Sequence, residues 1–330
     1  MSNVILFNPS IATSNVGDKI IFYYSDKAIK SIFPNDAIIE FPTQMPVSNK
    51  ILNRFRPIEY RFICGSNLLQ SNMAFKLGRK GIITHGIRQW DISLSNAKKY
   101  APTVLLGVGW QNYNTNVNAY TKALWRKVLS QKYIHSVRDD FTVERLKSIG
   151  IDNVINTGCP TTWALTPKFC KEIPTKKAKN AITTVTDYRP DRESDQQMLR
   201  TVIESYDKVW LWLQGIDDAK YFEGFDEDIK RRIILLGPQL DIYRNILLNN
   251  DVDYIGTRLH GGIYALNHKK RAIIIGVDNR AIEMNKDINL KVIKRENMHT
   301  LASEIQSEWQ TDIRIRQENI SLFTDQFNLR

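Results

Sequence analysis

The chain has 330 residues, 42% of them apolar and 25% charged, and 46 Lys and Arg against 35 Asp and Glu give a net charge of +11. That length suits two domains rather than one core, and the composition is that of an ordinary globular protein. No apolar run reaches the ~20 residues of a membrane-spanning helix, and the spread of the cations, without zinc-finger, RNP or recognition-helix signatures, argues against nucleic acid and for acidic small molecules or an anionic membrane surface.

The start, Met1-Ser2-Asn3 followed by Val4-Ile5-Leu6-Phe7, reads as a strand and not as a signal peptide. The expectation is a cytoplasmic protein, with peripheral contact at the inner face of the membrane left open through a basic segment at 168–179. Pro9–Gly17 is a polar loop, and Asp18–Ile32 a helix. Strands follow at Ala37–Phe41 and Arg61–Gly65, then a helix over 67–77, a strand at Thr103–Gly107, a helix over 117–129 and a strand at Tyr133–Val137. Helical spacing over 139–149 stops at Gly150. The alternation restarts with strands at Ala181–Val185, Val209–Leu213, Ile233–Leu236, Asp253–Gly256 and Ala272–Ile275, with helices near 195–205, 240–249 and 263–267, and an amphipathic helix over 298–323. Strands alternating with helices imply α/β architecture with mostly parallel sheets. The reading is therefore two Rossmann-like domains facing across a cleft, residues 1–167 and 180–330, joined by the Lys- and Pro-rich linker 168–179. The C-terminal helix is expected to pack back on the first domain.

In open α/β sheets ligands bind outside the carboxyl ends of the strands. Four segments have that position. Asn15-Val16-Gly17-Asp18 follows the first strand and opens a helix, whose free N–H groups suit an anion; helix capping by Asn15 or Asp18 is the equal alternative. Ser136-Val137-Arg138-Asp139 follows another strand, and Arg138 can offer its fork to a carboxylate or phosphate or pair with Asp139. Thr257-Arg258-Leu259-His260-Gly261-Gly262 combines a permanent cation, a proton-transfer group and two glycines that let a ligand approach the backbone. In an extended segment Arg258 and His260 share a face, with Leu259 turned inward. Val277-Asp278-Asn279-Arg280 lies at the same sheet edge. His85, in Thr84-His85-Gly86, is a further candidate, and Trp110 can stack on a sugar ring or fill the core. Trp210 and Trp212 alternate within a strand and read as packing. Cys64, Cys159 and Cys170 are odd in number and lack metal-ligand spacing, and the five histidines form no cluster, so neither disulfide nor metal is expected.

Taken in order, Asn15-x-Gly17-Asp18, Ser136-Val137-Arg138-Asp139, Arg258-Leu259-His260 and the acidic–basic segment at 278–280 resemble the polysaccharide pyruvyl transferases over roughly residues 10–290. The segment Val277-Asp278-Asn279-Arg280 stands where a typical member has a Tyr-Asp-x-Lys-like stretch, and Gly107-Val108-Gly109-Trp110 where it has a Gly-Ile-Gly-Pro-like turn. The resemblance implies a fold like that of two-domain (GT-B) glycosyltransferases. It implies phosphoenolpyruvate as donor, a sugar of a cell-surface polysaccharide or its lipid-linked or nucleotide-linked precursor as acceptor, and a pyruvate ketal as product, with no cofactor. It carries Arg138, Arg258 and His260 over as catalytic residues of the donor site. Asn15, Gly17, Asp18, His85, Trp110, Leu259, Gly261, Asp278 and Arg280 are the substrate-binding candidates. The rivals are a nucleotide-sugar-dependent glycosyltransferase and a non-catalytic glycan-binding relative. Oligomeric state is not legible in the sequence.

Overall fold

The computed structural model describes residues 2–74, 76, 77, 83, 84, 89–111, 113, 114 and 116–328. The chain forms two compact units, one of residues 1–13, 21–160 and 316–330, the other of residues 14–20 and 161–315. The division thus falls at Pro160–Thr161, ahead of the basic segment.

In the first unit β1 (Asn3–Asn8), whose last five residues are buried, is followed by α1 (Gly17–Ile32), β2 (Ala37–Pro42), β3 (Ile58–Cys64) and β4 (Val104–Leu106). They form a parallel sheet in the order β2-β1-β3-β4. Beyond α2 (Ala119–Val128), β5 (His135–Val137) is tied to the end of β4: Gly107 N–H donates to Ser136 O at 3.0 Å and Arg138 N–H to Val108 O at 3.1 Å. After α3 (Asp140–Lys147), β6 (Val154–Asn156) pairs parallel with β5. One core cluster joins Ile5, Phe7, Ile63 and Leu105 to Trp90 and Trp125, whose rings stack at 5.9 Å. The C-terminal helix Gln317–Asp325 belongs to this unit, and Phe327 just beyond it packs on Phe33, Tyr60 and Phe62 at centroid distances of 5.5, 5.4 and 5.3 Å. The last helix therefore packs on the first unit, as the sequence reading had it.

The second unit runs β7 (Asn180–Thr184), α4 (Arg192–Ser205), β8 (Val209–Trp212), α5 (Asp218–Glu223), β9 (Ile233–Leu236), α6 (Leu240–Asn249), β10 (Val252–Gly256), α7 (Leu259–Asn267), β11 (Ala272–Gly276), α8 (Asn279–Ile288) and β12 (Val292–Lys294). All six strands are parallel, in the order β9-β8-β7-β10-β11-β12. That is the Rossmann order, third-second-first-fourth-fifth-sixth, and its direction reverses between β7 and β10. No helix among the described residues is long and apolar enough to cross a membrane.

Three expected elements differ. Residues 67–74 are not helical. Gly65 and Ser66 take positive φ, and Leu69 then pairs with the 109–111 strand end, burying Leu68, Leu69 and Met73. The segment 168–179 is not a free linker. Thr166 caps a short helix, Pro167–Cys170, and Cys170, Ile173 and Ala178 are buried between solvated lysines, because the few apolar residues there suffice to dock one side of it. The tail helix is broken after Leu301–Gln306, where Trp309 donates its backbone N–H to Thr175 O, its ring lies 4.7 Å from the Arg271 guanidinium, and Arg314 N–H bonds Ile288 O. Those partners outside the segment replace the helical ladder.

Candidate functional site

The reversal in the second unit's sheet is where β7 and β10 lie side by side and send their loops in opposite directions, so a crevice forms beyond their carboxyl ends. Gly256 ends β10 in register with Thr184. A Cβ there would sit 2.4 Å from Thr184 Oγ1 and 2.7 Å from its N, so only glycine allows this approach. Both loops are then fixed. Thr257 N–H donates to Thr184 O at 3.1 Å, the Thr186 and Thr257 hydroxyls pair at 2.7 Å, and Arg258 N–H donates to Thr184 Oγ1 at 3.1 Å. Beneath them Tyr254 OH donates to Arg258 O at 2.7 Å.

Arg258 is buried at the N-cap position of α7. Its Nε donates to Val185 O at 3.0 Å, and its Nη2 to Asp187 Oδ1 at 2.7 Å and to Asp218 Oδ1. Its guanidinium lies 4.9 Å from the Tyr188 ring centroid. Nη1 is buried and has no partner. Burial works against the cation, but Asp218, Tyr188 and Asp187 outweigh it and hold the Arg258 pKa above its ordinary value. Asp218, fully buried, also accepts the N–H groups of Asp187 (3.1 Å), Gln214 (2.9 Å) and Gly215 (2.7 Å). Gly215 is the close neighbour of this ion pair, since a Cβ on it would lie 2.4 Å from Arg258 Nη2.

The N-terminal motif arrives at the same place. Val16 N–H donates to Gln214 O at 3.1 Å, and Asn15 bridges antiparallel to Gly215. Asn15 Oδ1 accepts Gly17 N–H at 3.0 Å, which gives Asn15 a capping role, and Asp18 is buried. Residues 14–20 accordingly cluster with the second unit. Gln214 links the two motifs. Its side chain is buried, its Nε2 has no partner, and that atom lies 2.8 Å from where a Gly261 Cβ would be.

Asp278 caps α8 by accepting Arg280 N–H at 3.0 Å, and it holds the Arg280 Nε through both oxygens at 3.1 and 2.9 Å. Arg280 Nη2 also donates to Tyr188 OH. Burial opposes this cation too, and Tyr188 and Asp278 outweigh it, so its pKa is raised. Tyr188, half exposed, thus contacts both Arg258 and Arg280. Two cations and three carboxylates (Asp187, Asp218, Asp278) meet here, and two buried donors beside them, Arg258 Nη1 and Gln214 Nε2, are left without partners.

The shared-face argument for Arg258 and His260 is corrected. The segment is helical from Leu259, and residues two apart on a helix do not face the same way. His260 is the second residue of α7, buried beside Leu259 and Gly261. Early helix positions carry the backbone N–H groups that intrahelical bonding leaves over.

The other candidates lie in the first unit. Arg138 is buried, and its Nε and Nη2 donate to Asp139 Oδ2 at 3.1 and 3.0 Å, while Asp139 Oδ1 caps α3 through Thr142 N–H at 2.8 Å. The expected alternative of an Arg138–Asp139 pair is the one formed. Arg138 Nη1 has no partner, and Gly109 lies against the guanidinium, a Cβ there falling 2.3 Å from Nη2. Trp110 is fully buried, its Nε1 donating to Ser71 Oγ at 3.0 Å, so it fills the core and presents no face to a sugar. Trp212 also packs, its ring 4.0 Å from that of Tyr243. His85 lies outside the described residues. Among the described residues no group of three or more His, Cys, Asp and Glu is placed to hold a metal ion. The sequence reading missed Asp187, Tyr188, Gln214 and Asp218. The first three follow the strand ends of β7 and β8 directly, a signal applied only to segments containing Arg, His or a Gly-Asp pair.

The family model for polysaccharide pyruvyl transferases matches residues 15–279, from the Asn15 motif to the start of α8. Among solved structures the fold is similar to that of a Methanocaldococcus jannaschii UDP-GlcNAc 2-epimerase in complex with UDP-GlcNAc and UDP, with 10% identity, 99% of this chain and 98% of that one covered, and a TM-score of 0.55. It is also similar to S. aureus MnaA in a co-structure with UDP, with 12% identity, coverage of 98% and 91%, and a TM-score of 0.53. Likeness at this identity is likeness of fold, the GT-B-like pairing of Rossmann units. No curated protein matches the chain.

Proposed function

The chain belongs to the polysaccharide pyruvyl transferase family, and from that premise we propose that it moves the three-carbon unit of phosphoenolpyruvate onto two hydroxyls of a sugar and releases phosphate. The observation that carries the reading to particular residues is Arg258 Nη1, a buried and unpaired guanidinium N–H at the reversal point of the second sheet. Such a donor is costly to leave unmade in water-excluded surroundings, and a carboxylate or phosphate oxygen satisfies it with a charge-assisted bond. Gln214 Nε2 supplies a second donor of the same kind.

The chemistry is an addition followed by a displacement. A proton reaches the methylene carbon of phosphoenolpyruvate as the first sugar hydroxyl bonds to C2 and gives up its proton. The C2–O bond to phosphate then breaks, and the second hydroxyl bonds to C2 and loses its proton, closing the ketal. The proton lost by the first hydroxyl balances the one gained by the methylene carbon, and the proton lost by the second leaves on the departing phosphate; His260 is the group assigned to these transfers, since imidazole serves as acid and base near neutrality. Arg258, held by three protein acceptors, orients the donor. Arg138 is assigned to an anionic group of the substrates through its remaining Nη1. This route draws on no metal or organic cofactor, and the acceptor is a sugar of a cell-surface polysaccharide or a lipid-linked or nucleotide-linked precursor. We place the protein in the cytoplasm, where phosphoenolpyruvate is available.

The test is direct binding of phosphoenolpyruvate, followed by calorimetry, to the wild type and to Arg258→Lys. Lysine keeps the charge but loses the planar fork. Binding weakened at least about tenfold in a folded Arg258→Lys variant supports the assignment. A wild type that ignores phosphoenolpyruvate but binds a nucleotide sugar favours glycosyl transfer instead.

A further inference from the structure

The first unit contains a second recess, at the opposite edge of its sheet from the carboxyl ends. Its lining comes from residues that precede β3 (Asn53, Arg56) and β4 (Asn96, Lys98, Lys99), with Arg61 from within β3. Its volume of about 420 Å³ is that of a small-molecule site.

Among the described residues, four cations and no carboxylate line it. None of the four forms an ion pair among the described residues, although 19 such pairs occur elsewhere. Arg61 is the residue without an explanation in the fold. It pairs with Ile5 in the ladder, on the same face as the core residue Ile63, and its Nε is buried with no hydrogen-bond partner. Burial lowers its pKa, and the neighbouring Arg56 cation lowers it further. Among the described residues the buried arginines are neutralised, Arg138 by Asp139, Arg258 by Asp187 and Asp218, and Arg271 by Asp253, whereas the partly buried Arg61 is not. A cluster of like charges around an orphaned donor is unfavourable by itself and is relieved by a compact dianion, which takes both the charge and the N–H.

We propose that this recess is a binding site for a phosphate or diphosphate group, built from the first unit alone and separate from the residues assigned to phosphoenolpyruvate. Arg61 and Arg56 supply forked donors, Lys98 and Lys99 supply charge, and the amides of Asn53 and Asn96 complete the lining. The group can be carried by a soluble phosphorylated molecule or by a lipid headgroup.

The experiment titrates inorganic diphosphate into the full chain by calorimetry at low salt and runs a flotation assay with vesicles of phosphatidylglycerol or of phosphatidylcholine. The variants are Arg56→Ser with Lys98→Ser, both exposed and therefore compatible with folding, and Arg61→Gln. The expected result is saturable diphosphate binding that weakens at least about tenfold in the Arg56/Lys98 double variant and in folded Arg61→Gln. Capture by phosphatidylglycerol vesicles alone, lost in the double variant, assigns the group to a lipid headgroup; diphosphate binding without capture assigns it to a soluble ligand. Absence of both kinds of binding, or binding that the double variant retains in full, overturns the proposal.

Discussion

The Asp218 carboxylate holds the Arg258 guanidinium with one oxygen and the backbone N–H groups of Gln214 and Gly215 with the other. One fully buried side chain thereby fixes the loop after β8 to the loop after β10, and it does so where the N-terminal Asn15 motif lands.

Asp218→Ala removes the fully buried one of the two carboxylates that hold a buried cation and orphans three backbone donors. The loss is expected to be about 3–5 kcal/mol, the range for breaking a buried pair from one side, and is read as a lower urea midpoint with an unchanged slope. Asp187, partly exposed, should cost clearly less when replaced by Ala. Equal losses would contradict the central position given to Asp218.

Gly215→Ala puts a methyl group 2.4 Å from Arg258 Nη2 and 2.7 Å from Asp187 Oδ1. Neither group can retreat without leaving the pair, so a destabilisation of about 1–3 kcal/mol is expected, with phosphoenolpyruvate binding reduced together with it. Wild-type affinity in this variant would mean that the ion pair does not shape the donor site.

His135 gives a pH dependence of stability unrelated to catalysis. It is fully buried between Leu105 N–H, which donates to Nδ1 at 3.1 Å, and Ser130 O, which accepts from Nε2 at 2.9 Å. Burial lowers its pKa to about 4, only partly opposed by the bond to Ser130 O. The unfolded chain takes up a proton near pH ~6.5 and the folded chain only near 4, so stability falls as pH drops through this window and levels off below it. The full contribution is on the order of 3 kcal/mol. Denaturant titrations between pH 7 and 4 should show this slope in the wild type and a shallower one in His135→Gln. Parallel slopes would refute it.

Much of this was legible in the sequence. The strand–helix alternation gives the α/β class, and Asn15-x-Gly17-Asp18 and the Thr257–Gly262 stretch are readable as strand-end motifs, although their meeting at Gln214, through Val16 and Gly261, is not. What the sequence could not show depends on contacts between segments distant in the chain. Leu68, Leu69 and Met73 have helical spacing, but pairing of Leu69 with the 109–111 strand end overrides it. Trp110 looks like a sugar platform until Ser71 takes its N–H. Asp187 and Asp218 are unremarkable acids until the reversal of strand order sets both against Arg258.

The central claim is tested most directly by phosphate release from phosphoenolpyruvate, measured across a panel of sugar acceptors for the wild type and His260→Ala. The account predicts acceptor-dependent release by the wild type that falls by about 10²–10⁴ in the variant while its melting transition is preserved. Release at the wild-type rate from folded His260→Ala would contradict the role of His260. Acceptor-dependent turnover of a nucleotide sugar by a wild type that leaves phosphoenolpyruvate intact would contradict pyruvyl transfer itself.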